Sequence, residues 1–134
     1  MNNVSRRKIE LRSEQGQSIT EFALALPILA LLLFAVIQFG IAFNHYVTLT
    51  DATRAGARKA AVGRQVANPA AECQTAIRSS AQNLNGSQLT TSCSSTWQPG
   101  ADVTVNATYP YQISLLGLVV KSGRLSSTTT ERVE

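Results

Sequence analysis

Between Phe22 and Phe43 the chain runs FALALPILALLLFAVIQFGIAF, 22 residues without a charge. Crossing a bilayer core takes about 20 apolar residues at about 1.5 Å rise each, so the pattern predicts a transmembrane helix. Immediately ahead of it stand Gly16-Gln17-Ser18-Ile19-Thr20 and the carboxylate Glu21. An acid at the rim of a membrane span is costly without a partner, which makes Glu21 a functional candidate. Its plainer reading is a helix-start acid satisfied by the dipole and water, with Ser18 or Thr20 as the cap. Pro27 lies inside the run and frees the carbonyl of Ala23, a change that membrane helices tolerate.

The helical pattern does not stop at Phe43. Asn44–Val62 has no Pro and is rich in Ala, and Phe39, Phe43, Tyr46, Leu49 and Thr53 recur at spacings of three and four. That stripe predicts one helix over Thr20–Val62, about 64 Å long at about 1.5 Å per residue, or about twice the hydrocarbon thickness. Half of it would stand clear of the membrane and present a face to a globular domain or a neighbouring subunit. Gly63 is expected to end it.

Beyond Gly63 the periods change. Asn68-Pro69 opens a second helix over Ala70–Leu84, with Cys73, Ala76/Ile77, Ala81 and Leu84 on one side, and Asn85-Gly86 stops it. Leu89–Ser94 reads as a strand. Ala101–Tyr109 alternates Val103, Val105, Ala107 and Tyr109 against polar partners, with Pro110 as its boundary, and Leu125–Val133 reads as a final strand. Tyr111–Val120 is more apolar than an exposed loop should be. The expected fold class is α+β: a long N-terminal helix, a second helix, and a small antiparallel sheet of about three strands.

Composition changes this picture little. The 134 residues leave room for one small domain besides the span. Of the 12 basic residues behind the net charge of +4, Arg6, Arg7, Lys8 and Arg12 lie ahead of the apolar run, Arg54, Arg58, Lys59 and Arg64 follow it, and the rest are scattered singly. With no aromatic interleaving and no recognition motif, the charge does not describe a nucleic-acid surface. Four basic residues before the run and three close behind it give a weak bias toward an inside N-terminus. Cys73 and Cys93, an even pair in the C-terminal part, suit an oxidising compartment and strengthen that orientation. They admit a disulfide, which would contribute ~3 kcal/mol through loop-closure entropy, or two buried thiols. The apolar run is too long for a signal peptide, and Phe43-Asn44-His45-Tyr46 is a poor cleavage site. His45, the only histidine, is distant in sequence from both cysteines and reads, with Tyr46, as an interfacial residue rather than a metal ligand. Trp97, beside Pro99-Gly100, is expected half-buried on the sheet. No catalytic constellation, phosphate loop, cofactor site or small-molecule site is visible, which argues against an enzyme.

Two blocks carry a family resemblance. Gly16-Gln17-Ser18-Ile19-Thr20-Glu21-Phe22-Ala23-Leu24-Ala25-Leu26-Pro27 resembles the start of TadE-like proteins, the minor pseudopilins of Flp (Tad, type IVb) pilus systems. Thr50-Asp51-Ala52-Thr53-Arg54-Ala55-Gly56-Ala57-Arg58-Lys59-Ala60-Ala61-Val62 is similar to a second stretch of that family. The resemblance implies cleavage by a prepilin peptidase after Gly16, making Gln17 the new N-terminus and Glu21 the fifth residue of the mature chain. Glu21 would then pair with the terminal amine of a neighbouring subunit during assembly. Major pilins usually carry an aromatic residue where this chain has Gln17. The implied organisation is a cytoplasmic leader over 1–16, a transmembrane helix over 17–43 and an extracytoplasmic domain over 44–134. The implied partners are other pilin or pseudopilin subunits, the Tad secretion machinery and the lipid bilayer. The competing expectation is an unprocessed, membrane-anchored binding or scaffold module of the cell envelope.

Overall fold

The computed structural model describes residues 11–115 and 117–134, so Arg6, Arg7 and Lys8 of the basic leader, and Leu116, lie outside the described residues. In chain order the elements are α1 (Leu11–Ala61), α2 (Pro69–Ser80), β1 (Thr90–Ser94), β2 (Asp102–Leu115) and β3 (Leu118–Arg132). The fold is α+β with one long apolar helix. The chain divides into two compact units, 1–37 and 38–134.

In the first unit α1 is already helical at Leu11, ahead of the expected start at Ser18–Thr20. Neither residue is needed as a cap there: the Thr20 hydroxyl donates back to the Gly16 carbonyl at 2.9 Å, as mid-helix threonines do. Pro27 lies within the same helix. From Phe22 through Ile37 the large apolar side chains are exposed, Leu24 by 71% and Ile28 by 68%. Their helix is long and apolar enough to cross a membrane.

The second unit is the folded domain. Its sheet has the order β1-β2-β3, all antiparallel, with Thr91 opposite Ala107 and Val105 opposite Thr129. Val103, Val105, Ala107 and Tyr109 point from β2 into the core, where they meet Leu49, Ala52, Ala57 and Ala60 of α1, Cys73 and Ile77 of α2, and Val133. Each large aliphatic side chain buried there contributes about 1.5–3 kcal/mol. α2 starts as the sequence predicts, with the Asn68 side chain accepting from the Ala71 N–H at 3.0 Å and Pro69 in the first turn. It ends at Ser80 rather than Leu84; a turn bonded Leu84 N–H to Ala81 carbonyl at 2.9 Å still leaves Ala81 and Leu84 in the core.

Two expectations need correcting. Leu49 and Thr53 are buried, but Phe39, Phe43 and Tyr46 of the same stripe are exposed. The docked face is the neighbouring one, through Leu49, Ala52, Thr53, Gly56, Ala57 and Ala60, because small side chains let the helix backbone come close to its partners while the aromatic ones cannot fit beneath it. Pro110 does not end its strand: β2 continues to Leu115, with Pro110 opposite Arg124. β1 stops opposite Thr108, so beyond that point β2 is paired on one side only, a position where proline is tolerated. Of the apolar Tyr111–Val120 stretch, residues 111–115 and 118–120 are therefore the end of a long β2–β3 hairpin, with Gly117 (φ +84°) in its turn.

Candidate subunit-assembly surface

Helical spacing brings Gln17 and Glu21 onto one face of α1, four residues apart. The Gln17 side-chain amide donates to Glu21 Oε1 at 3.1 Å. A carboxylate offers about four acceptor sites, so one amide leaves room for stronger donors. Gly16 has nothing within 4 Å of the place where a Cβ would stand, and Gly16, Gln17 and Glu21 are all exposed. The carboxylate is followed directly by exposed Phe22 (62%), so one acid and an apolar surface are presented side by side. Such a surface suits association with other apolar helices, where a cation would meet the acid.

The other end of α1 is fixed to the domain by close packing. Gly56 lies against α2; a Cβ there would fall on Ile77 Cγ1 and within 3.4 Å of the Cys73 carbonyl oxygen. Nearby, Lys59 and Glu72 form an exposed ion pair at 3.7 Å, worth little by itself. Arg54 pairs with Asp51 at 3.7 Å, also in solvent. On the sheet side, the Thr53 and Ser127 hydroxyls meet inside the core.

Cys73 of α2 and Cys93 of β1 are joined as a disulfide across a Cα–Cα distance of 6.5 Å. His45 is half-buried, its ring edge-on to Tyr109 with centroids 5.4 Å apart. The Tyr109 hydroxyl in turn accepts from the Asn85 N–H at 3.3 Å. Trp97 packs on the margin of the core in a left-handed conformation (φ +57°), its N–H bonded to Ser95 Oγ at 3.1 Å. Among the described residues no three His, Cys, Asp or Glu side chains gather around a common point that could hold a metal ion.

The sequence motif located Gly16, Gln17 and Glu21 but gave no sign of the Gln17–Glu21 bond. It also missed a groove of about 450 Å³ lined by Phe39, Phe43, Tyr46, Tyr111, Ile113 and Leu125. The available signal was the apolar surplus of Tyr111–Val120.

Searches of curated proteins and of solved structures return no significant match to the chain. Residues 16–58, which hold the Gly16–Glu21 motif, the apolar run and the start of the docked segment, match the family model described as TadE-like protein.

Proposed function

We propose that the chain is a minor pseudopilin of a Flp-type (Tad) pilus system, held in the cytoplasmic membrane by α1 and assembled through it. The observation that carries this reading is the TadE-like match over residues 16–58, which spans the motif around Glu21 and the exposed apolar run. In this reading residues 1–16 are a cytoplasmic leader, 17–43 span the membrane, and 44–134 form the extracytoplasmic domain. A prepilin peptidase cuts after Gly16, and the amine freed at Gln17 is the cation that Glu21 of a neighbouring subunit accepts. Because a buried ion pair adds little net stability, the pairing would govern register and recognition more than strength. Partners are other pilin or pseudopilin subunits and the Tad secretion machinery; the role is structural, not enzymatic.

A second reading has its own support. α1 is helical from Leu11, so the Gly16–Gln17 bond lies within a helix, and Glu21 already has an acceptor contact within its own chain. That favours an unprocessed membrane-anchored binding or scaffold module of the envelope. N-terminal mass spectrometry of the protein from cells with an active prepilin peptidase separates the two. A chain beginning at Gln17 is expected; an intact Met1 would leave only the unprocessed module.

A further inference from the structure

The β2–β3 hairpin steps along the part of α1 in its own unit. Ser127 lies against Thr53, Tyr109 against His45, and Tyr111 and Ile113 share a groove with Phe39 and Phe43. The order shows the hairpin advancing toward lower α1 numbers as it nears its turn, and Phe39–Phe43 is already the end of the uncharged run. The turn lies only two residues past Ile113, at about 3.3 Å per residue.

The side chains change character over the same distance. Up to Gln112 the strand alternates, with Thr104, Asn106, Thr108 and Gln112 on the face away from the core. At the tip, Leu118 stands opposite Leu115 and Val119 opposite Ser114, so apolar side chains occupy both faces. The register shifts between Ile113 and Ser114. Leu118 is 74% exposed, Val119 58% and Val120 62%. A hairpin needed only for packing on a helix would be apolar on one face. Apolar residues on both faces require an apolar surrounding. Immediately behind the tip come Lys121, on the groove, and Arg124, whose guanidinium reaches Thr90 Oγ1 at 3.4 Å. Cations one step behind an apolar tip match the order of acyl chains and phosphates in a lipid leaflet.

We infer that the tip of the β2–β3 hairpin, through Leu115 and Leu118–Val120, enters the lipid leaflet beyond its groove with Phe39 and Phe43, with Lys121 and Arg124 at the level of the lipid phosphates. This rests on the membrane-spanning reading of α1. The domain is thereby held to the bilayer at a second point, and its rotation about the helix is restricted.

Depth-dependent fluorescence quenching tests the inference on the full chain reconstituted in phosphatidylcholine/phosphatidylglycerol vesicles, with or without dibrominated acyl chains. Val119→Trp, Thr130→Trp and Phe34→Trp are each compared with the parent, whose Trp97 supplies the baseline. Brominated lipid is expected to quench the added Trp at 119 at least twofold, and the one at 130 not at all. Quenching at 34 without quenching at 119 overturns the inference while leaving the span intact. Blue-shifted but unquenched emission at 119 also overturns it, since protein rather than lipid would then cover the tip. Absence of quenching at 34 removes the span and the inference with it.

Discussion

Thr53 Oγ1 on α1 and Ser127 Oγ on β3 lie 2.9 Å apart in a buried contact, with Thr129 Oγ1 donating to Thr53 at 3.3 Å. Thr53 also donates to the Thr50 carbonyl at 2.8 Å, so a small hydroxyl network ties the helix to the last strand inside an otherwise apolar interface. Thr53→Val keeps the volume and leaves Ser127 without its partner. Thermal unfolding in detergent should show a loss of about 1–3 kcal/mol. The double variant Thr53→Val/Ser127→Ala should recover part of it, since it removes the orphaned Ser127 hydroxyl and leaves only part-buried Thr129 without its acceptor.

Gly56 sets the spacing of α1 and α2. Gly56→Ala removes a helix-weakening glycine, worth up to about 1 kcal/mol, but drives a methyl group into fully buried Ile77. Overpacking of this kind costs about 1–3 kcal/mol, so a net lower melting temperature is expected. Adding Ile77→Ala removes the clashing atoms, and the two substitutions should be clearly less harmful together than their separate losses sum to.

The Cys73–Cys93 bridge closes a loop with a sequence separation of 20 and links α2 to the outer strand β1. Cys73→Ser or Cys93→Ser should lower domain stability by about 3 kcal/mol. The parent should migrate faster without reductant than with it, and the variants should show no such difference.

Glu21→Gln retains the size and one acceptor of the side chain while removing its charge. Pilus assembly, counted by electron microscopy, should fall several-fold, whereas membrane fractionation should find the same amount of inserted protein. Normal piliation would count against pairing by Glu21.

Much of the architecture is legible in the residues. The uncharged run fixes the existence of α1, Asn68-Pro69 fixes the start of α2, and the alternation of Val103, Val105, Ala107 and Tyr109 identifies the core face of β2. The docked face of α1 is not legible, because the Phe39–Thr53 stripe has the same period as the small-residue face beside it. Leu49 and Thr53 belong to both, so the close approach of Gly56 to Ile77 decides between them, and it depends on an element distant in sequence. Pro110 misleads for a related reason: its tolerance follows from the shortness of β1, a property of the sheet rather than of β2. At the proposed assembly surface the motif marks Gly16, Gln17 and Glu21, but α1's extension back to Leu11 is not evident from the polar residues that precede the apolar run.

Val133 is buried, exchanges hydrogen bonds with Gly100 and Ala101 at 2.8 Å, and precedes Glu134, whose N–H reaches the Ala61 carbonyl at 3.0 Å. The last helical turn of α1 is thus completed by residues made after every strand. During synthesis α1 exists in full before any of its sheet has been translated; α2 comes in time to cover the face at Gly56, but Thr53 waits for Ser127 and the helix end for Glu134. In that interval the part of the face still open is accessible to a chaperone or a second nascent chain, so the order of synthesis bears on this domain as well as its final stability.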